Sequence, residues 1–148
     1  MKPSILLVDD EDSILKSMKH ALLKESYNIT TAESGEEAIE LVKGKDFDLI
    51  VTDLQMSGIS GIEVLKEVKK RNPLRPVIIL TGYGSVTTVT DAKQFGIDDF
   101  LIKPINNSEL LARVSHCLEK YTMQNEIKGL KSKLAEYEKK LMDYENRP

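Results

Sequence analysis

At 148 residues, the chain has room for one compact domain and an extension, but not for two domains of ordinary size. Its hydrophobic content of 41% excludes a disordered chain, and a formal net charge of -3 gives no reason to expect nucleic-acid binding. The single cysteine excludes an internal disulfide, and the sequence has no secretory signal or membrane-spanning run, so we expect a cytoplasmic protein.

Five apolar runs predict strands, and helical periodicity follows each of them. The runs occupy residues 5–8, 28–32, 49–53, 77–80 and 100–102, and the second, which is half polar, is expected at an edge of the sheet. Asp12 or Ser13 is expected to cap the first helix, and Ser34 the second. The predicted apolar helix faces contain Ile14, Leu15, Met18, Ala21, Leu22; Ala38, Leu41, Val42; Ile62, Leu65, Val68; Val86, Val89, Ala92, Phe95; and Leu110, Leu111, Val114, Leu118.

This alternation of strands and helices predicts an α/β fold with helices on both faces of a parallel sheet. Right-handed crossovers make it doubly wound, and the flavodoxin-like strand order 2-1-3-4-5 is the natural candidate. We therefore predict a five-stranded sheet with five helices, the last of which extends into a coiled coil.

Four strand ends carry polar side chains that meet at one edge of such a sheet. They are Asp9-Asp10, Asp53, Thr81 and Lys103. Three carboxylates in one place repel one another unless a cation compensates, and oxygen ligands of this kind suit Mg²⁺. The lysine can grip an anionic group and the threonine can donate a hydrogen bond to it. This set indicates phosphoryl transfer, with Asp53 as the nucleophile that becomes an aspartyl phosphate.

The pattern Asp9-Asp10, Asp53, Thr81, Lys103-Pro104 resembles the receiver domains of response regulators in two-component signalling, over about residues 1–120. The resemblance implies that Asp10 binds Mg²⁺ directly, Asp9 acts mostly through water, and the backbone carbonyl of Gln55 completes the metal site. It also implies a switch pair, Thr81 and Phe100, and a cis peptide bond before Pro104. A sensor histidine kinase or a phosphotransfer protein is the implied phosphoryl donor.

Two positions depart from the family's pattern, and three alternatives stay open. Ser57 stands where many members have proline, and Ile105 where an aromatic residue is frequent. A degenerate receiver would fold without being phosphorylated. A phosphatase with an aspartyl nucleophile would place a second aspartate where this chain has Gln55. A nucleotide binder would need a Ser/Thr/Gly-rich loop in place of residues 9–12.

Other reactive side chains have plainer explanations. His20 and His116 lie in helical patterns without a recognisable partner, so we expect solvated helix residues. Cys117 is expected to be a core or semi-buried helix residue. Tyr83 and Gln55 flank the site and, by analogy with the family, set the lifetime of the phosphoryl group.

Beyond residue 120 the apolar spacing alternates between four and three residues, as in a coiled-coil seam. The g and e positions pair opposite charges, which is what a parallel homodimer requires. We divide the chain into a receiver domain, 1–120, and a coiled-coil tail, 121–148, that either ends a stand-alone regulator or links to an output domain. No membrane contact or direct DNA contact by this chain is expected. The seam consists of Met123, Ile127, Leu130, Leu134, Tyr137, Leu141 and Tyr144.

Overall fold

The computed structural model describes residues 2–82, 90 and 92–148. Its strands are β1 (Ser4–Val8), β2 (Asn28–Ala32), β3 (Leu49–Asp53), β4 (Val77–Thr81) and β5 (Asp99–Ile102). Its helices are α1 (Asp12–Leu23), α2 (Gly35–Gly44), α3 (Gly61–Arg71) and a C-terminal helix (Asn107–Glu145). Residues 90 and 92–94 are also helical, so a helix follows each strand. Val86 and Val89 of the predicted fourth helix lie outside the described residues.

The strands form one parallel sheet in the order β2-β1-β3-β4-β5, as predicted. The register places Val8 opposite Thr52, Asp53 opposite Leu80, and Thr81 opposite Ile102. The carboxyl ends of β1, β3, β4 and β5 therefore meet at one edge, where open α/β sheets bind their ligands.

Both faces of the sheet are covered, because alternate residues of the central strands point to opposite sides. Leu6, Val8, Ile50 and Ile79 pack on one side in a core cluster with residues of α2 and α3. The other face contacts α1 and the C-terminal helix. The core cluster on that face includes Ile5, Leu7, Val51, Ile78, Leu80, Leu15, Met18, Leu22, Leu110, Val114 and Cys117.

The two predicted helix caps had different outcomes. Ser34 caps α2 as predicted, since its Oγ accepts a hydrogen bond from the Glu37 amide at 3.1 Å. For α1 the prediction of Asp12 or Ser13 is wrong: the cap residue is Glu11, without a side-chain hydrogen bond. The carboxylate of Asp9 accepts the Glu11 amide at 2.9 Å, and α1 begins one residue later, so Asp12 already lies in the first turn.

Two helix faces differ in detail from the predicted ones. In α3 the residues Val64, Leu65 and Val68 are buried, whereas Ile62 is only partly so. The sequence pattern places Phe95 on the apolar face of a helix, but its side chain is 39% exposed, and the ammonium of Lys66 lies 4.5 Å from the centre of its ring. Phe95 lies in the turn after the helical residues rather than within a helix, which is why periodicity misplaced it.

The C-terminal helix runs without a break across the predicted domain boundary. Tyr121 still contacts the domain. Its hydroxyl accepts a hydrogen bond from the side-chain amide of Asn72 at 3.2 Å, and the Arg75 guanidinium lies 5.1 Å from the centre of its ring. Among the described residues, no helix has the length and apolar character needed to span a bilayer.

Candidate functional site

The strand-end residues singled out in the sequence converge in the structure. Asp53 is the last residue of β3 and Thr81 the last of β4, and both side chains are almost fully buried. Asp9 follows β1 and is fully buried, and Lys103 follows β5 at a cis peptide bond with Pro104. Since each strand is fixed in register by its neighbours, these side chains are held by the sheet rather than by long loops.

Lys103 lies between two buried carboxylates. Its Nζ donates a hydrogen bond to Asp53 Oδ2 at 3.1 Å, and it lies 2.9 Å from Asp9 Oδ2 and 3.8 Å from Glu11 Oε1. The contact with Asp9 is an ion pair without hydrogen-bond alignment, because Asp9 Oδ2 accepts no hydrogen bond within the described chain. Lys103 therefore draws Asp53 and Asp9 together through one close contact with each.

The pKa values of Asp53 and Lys103 depend on two opposing effects, the burial of each side chain and the charges close to it. Burial raises the pKa of Asp53, the Lys103 hydrogen bond opposes that rise, and the charge of Asp9 adds to it. Burial alone would lower the pKa of Lys103, but its contacts with Asp9 and Asp53 outweigh burial and raise it. Lys103 is thus held in its charged form, as a group that binds anionic oxygens must be.

Asp9, Asp10 and Asp53 form an acid cluster, which can bring one carboxylate oxygen from each residue within 4.8 Å of the other two. Asp9 and Asp53 are buried, whereas Asp10 is exposed at the opening of the cluster. Three carboxylates face one ammonium, so negative charge exceeds positive charge in the cluster. This cluster of hard oxygen ligands, open to solvent on one side, fits Mg²⁺ with some of its waters retained.

The remaining predicted residues lie around this cluster. Thr81 Oγ1 donates to the Gly82 carbonyl at 3.3 Å, and among the described residues a side chain at Gly82 would meet nothing within 4 Å. Phe100 is half-buried in β5 against the core cluster shared with α2 and α3. Gln55 is exposed in the loop after Asp53, and Tyr83 lies outside the described residues.

Comparison with known proteins identifies the family. The model of the response regulator receiver domain matches residues 5–115, which is well over half of the chain. The chain belongs to the response regulator receiver family. It is 38% identical over 119 residues to the transcriptional regulatory protein GlrR of Escherichia coli K12, covering 80% of this chain and 27% of GlrR.

Solved receiver structures show the same fold. A response regulator receiver domain protein from Clostridium thermocellum superposes with a TM-score of 0.78 at 30% identity, covering 82% of this chain and 98% of that one. NtrX from Brucella abortus gives a TM-score of 0.82 at 29% identity, covering 88% of this chain and 30% of NtrX. This receiver thus spans less than a third of the length of GlrR or NtrX, although it matches nearly the whole of the Clostridium protein.

Three contacts of the receiver's site were not foreseen from the sequence. Glu11 approaches Lys103, the Ser57 amide donates to Asp10 Oδ2 at 3.4 Å, and the Ile59 amide donates to Glu36 Oε1 at 2.9 Å. The contact of Ser57 could have been suspected from the sequence, because a proline at this position would have no amide hydrogen to donate. The contact of Glu36 could not have been suspected, since only the packing of α2 beside the loop after β3 brings Glu36 close to Ile59.

The other candidates lie away from the site in ordinary environments. His20 and His116 are exposed, as expected of solvated helix residues, and Cys117 is buried in the core. The prediction of a core or semi-buried helix position for Cys117 is therefore confirmed.

Proposed function

We propose that this receiver accepts a phosphoryl group on Asp53 from a sensor histidine kinase or a phosphotransfer protein. The observation that carries the proposal is the position of Asp53, between the Lys103 ammonium at 3.1 Å and the carboxylates of Asp9 and Asp10. In this role the chain is a signalling domain that promotes its own phosphorylation and dephosphorylation, not an enzyme acting on other substrates. Its expected compartment is the cytoplasm.

The proposed step moves one phosphoryl group between two side chains. A carboxylate oxygen of Asp53 attacks phosphorus as the bond from the donor histidine nitrogen breaks, and the released imidazole takes a proton from solvent. Lys103 is placed to bind a phosphoryl oxygen and offset the charge that collects there. Thr81 Oγ1 would exchange its weak bond to the Gly82 carbonyl for one to a second phosphoryl oxygen.

Mg²⁺ would be held by Asp9, Asp10, Asp53 and the backbone carbonyl of Gln55. When bound, the ion neutralises negative charge on the carboxylates and on the transferred group. Asp10, the exposed member of the cluster, would bind directly, whereas Asp9 is expected to act through water. The excess of carboxylates supports this assignment, because Asp9, Asp10 and Asp53 share a single close ammonium, that of Lys103.

The proposed output is a shift in conformation that starts at Thr81 and Phe100. Movement of the Thr81 hydroxyl toward the phosphoryl group would leave space behind it for the half-buried Phe100 ring to turn inward. The Phe100 ring packs on the face of the sheet opposite the C-terminal helix, whereas its neighbour Leu101 packs with that helix, so the change would reach the tail through the β5 backbone. In a longer protein, this is the direction of an output domain, and the relative GlrR is a transcriptional regulatory protein.

We further propose that the tail forms a parallel coiled-coil homodimer. The seven seam residues are between 50% and 68% exposed in the single chain, which is unusual for so many large apolar side chains in a row. Opposite charges pair across the seam as Glu126 with Lys131, Lys133 with Glu138, and Lys140 with Glu145. Such exposed pairs select the parallel orientation more than they add affinity.

Intact mass measurement with acetyl phosphate tests phosphoryl acceptance. We expect one phosphoryl mass increment on the wild-type chain when Mg²⁺ is present, and none without Mg²⁺ or in Asp53→Asn. If the wild type gains no increment and binds no beryllofluoride, phosphoryl acceptance is contradicted. The chain is then a degenerate receiver whose tail acts as a dimerisation module.

A further inference from the structure

Residues 54–60 form a loop that follows Asp53 and carries Gln55, the proposed source of a metal-binding carbonyl. Both ends of this loop are held by backbone hydrogen bonds. The Leu54 amide donates to the Leu80 carbonyl at 2.9 Å, and the Gly61 amide donates to the Leu54 carbonyl at 3.0 Å. These bonds leave the middle of the loop, around residues 56–59, to be held by other contacts.

Two amides in the middle of the loop donate to carboxylates that lie outside it. The Ser57 amide donates to Asp10 at 3.4 Å, which is long for a hydrogen bond, and the Ile59 amide donates to Glu36 at 2.9 Å, which is typical. The Glu36 bond is charge-assisted, and it lowers the pKa of that carboxyl.

The first turn of α2 and the loop also fit closely. Gly58 has a φ of +81° and packs against the Glu36 carboxylate, so a side chain there would be strained and would collide with it. A side chain at Gly35 would collide with the carbonyl oxygen of Ile59. The loop therefore has little freedom to shift relative to α2 while Glu36 keeps its bond.

A bound cation would affect the hydrogen bonds of Asp10 and Glu36 differently. Asp10 belongs to the acid cluster, so a bound cation competes with the Ser57 amide for its oxygens. Glu36 is not a member of that cluster, and its bond to Ile59 is independent of the site's occupancy. Glu36 thus becomes the more durable side-chain support of the loop at the moment when the Gln55 carbonyl is needed.

We propose that Glu36 is a positioning residue, which fixes the 54–60 loop from α2 so that the Gln55 carbonyl is held in place for Mg²⁺. The part of this inference that concerns Mg²⁺ rests on the proposed function, whereas the restraint of the loop by Glu36 does not. In receivers with proline at the position of Ser57, the ring limits the backbone; here the hydrogen bond from Ile59 to Glu36 supplies that restraint.

The test compares three variants in amide hydrogen exchange and in Mg²⁺ titration followed by NMR. Glu36→Ala removes the acceptor, whereas Glu36→Gln keeps an oxygen that can accept the Ile59 amide. Glu37→Ala is the matched control, because it removes an equal charge from the same helical turn and its carboxylate contacts the Glu33 amide, not the loop.

In Glu36→Ala we expect the Ile59 amide to exchange at least about tenfold faster and Mg²⁺ affinity to fall about three- to tenfold. Glu36→Gln is expected to keep most of the Ile59 amide protection and most of the Mg²⁺ affinity. Glu37→Ala is expected to resemble the wild type in both measurements. Unchanged Ile59 exchange in Glu36→Ala, or equal losses in Glu37→Ala, would overturn the inference while the wild type still binds Mg²⁺. A wild type that binds no Mg²⁺ would instead contradict the proposed function, and with it the metal part of this inference.

Discussion

Lys103 is the residue on which the charge balance of the site depends. It is the ammonium between Asp9 and Asp53, and it has a raised pKa because both carboxylates stabilise its charged form. A bound cation and this ammonium would therefore compete for the same negative charge, whereas in the proposed reaction both stabilise the transferred phosphoryl group. Removal of Lys103 should affect cation binding and phosphorylation in opposite directions.

In Lys103→Met we expect Mg²⁺ affinity to rise about two- to tenfold, because a nearby positive charge is lost. Phosphorylation by acetyl phosphate should slow about 100-fold, since no ammonium offsets the charge on the transferred group. Mg²⁺ titration and the initial rate of phosphorylation measure the two effects, and circular dichroism checks that the variant folds. A fall in Mg²⁺ affinity would show that Lys103 holds the carboxylates in place rather than competing with the cation.

Cys117 allows a prediction on pH. Burial raises the pKa of its thiol from the ordinary 9.0 to about 11, with a further contribution from the charges of Asp98 and Asp99. At pH 8 the folded chain should carry about 100-fold less thiolate than the unfolded chain, and a disulfide reagent should react slowly until denaturant is added. The unfolded chain ionises first as pH rises, so the free energy of unfolding falls as pH rises from about 9 to about 11 and stays lower above that range. Equal reaction rates for folded and unfolded protein at pH 8 would contradict this.

The residues at the strand ends were predictable, whereas the side chains that support them were not. Asp9, Asp53, Thr81 and Lys103 each follow an apolar run, and parallel strands necessarily bring such positions together. The start of α1 was misplaced because Asp9, a residue of the site, accepts the Glu11 amide instead of leaving it to a cap. The partner of the Ile59 amide depends on tertiary packing, which leaves no periodic signal in the sequence.

At the scale of elements, α3 packs closely against the end of β3, next to the backbone carbonyl group of Asp53. Gly61 begins α3, and a side chain there would collide with the backbone carbonyl of Asp53. The helix can approach the end of β3 this closely only because residue 61 lacks a Cβ atom. The position of α3 and the backbone of Asp53 are thus coupled.

Gly61→Ala should therefore destabilise the domain by about 1–3 kcal/mol, as expected for overpacking at a tight contact. Gly44→Ala is a matched control at the other end of a helix, where an added methyl group meets nothing within 4 Å. It should be neutral or slightly stabilising, because alanine has the higher helix propensity. Urea denaturation of both variants measures the difference, and equal stability of the two would rule out the close contact.

The C-terminal helix is the element whose amphipathic pattern changes along its length. Leu110, Val114 and Cys117 are buried against the sheet, whereas the seven seam residues further along are exposed. The spacing in the sequence predicted the buried face of the first half, whereas the coiled-coil seam of the second half stays a prediction. The Asn72 to Tyr121 bond could not be predicted, since the two residues are 49 positions apart.

At the scale of the whole molecule, the exposed seam leads us to expect a dimer with two receivers at its base. Leu134→Glu places a charge at the middle residue of the seven-residue seam and should convert the dimer to monomer. Ser132→Glu, on the outward face of the same turn, should leave the dimer intact. Sedimentation equilibrium distinguishes them, and a wild type that stays monomeric at high micromolar concentration would rule out the coiled coil.

The measurement that most directly tests phosphorylation of Asp53 is the chemical identification of the modified residue. Borohydride reduces an aspartyl phosphate to homoserine, which tandem mass spectrometry of peptides can locate. After treatment with acetyl phosphate and Mg²⁺, we predict homoserine at position 53 alone, and none when Mg²⁺ is left out. Homoserine at position 9 or 10, or phosphate retained on a serine or threonine with residue 53 unmodified, would contradict the assignment of Asp53 as the phosphoryl acceptor.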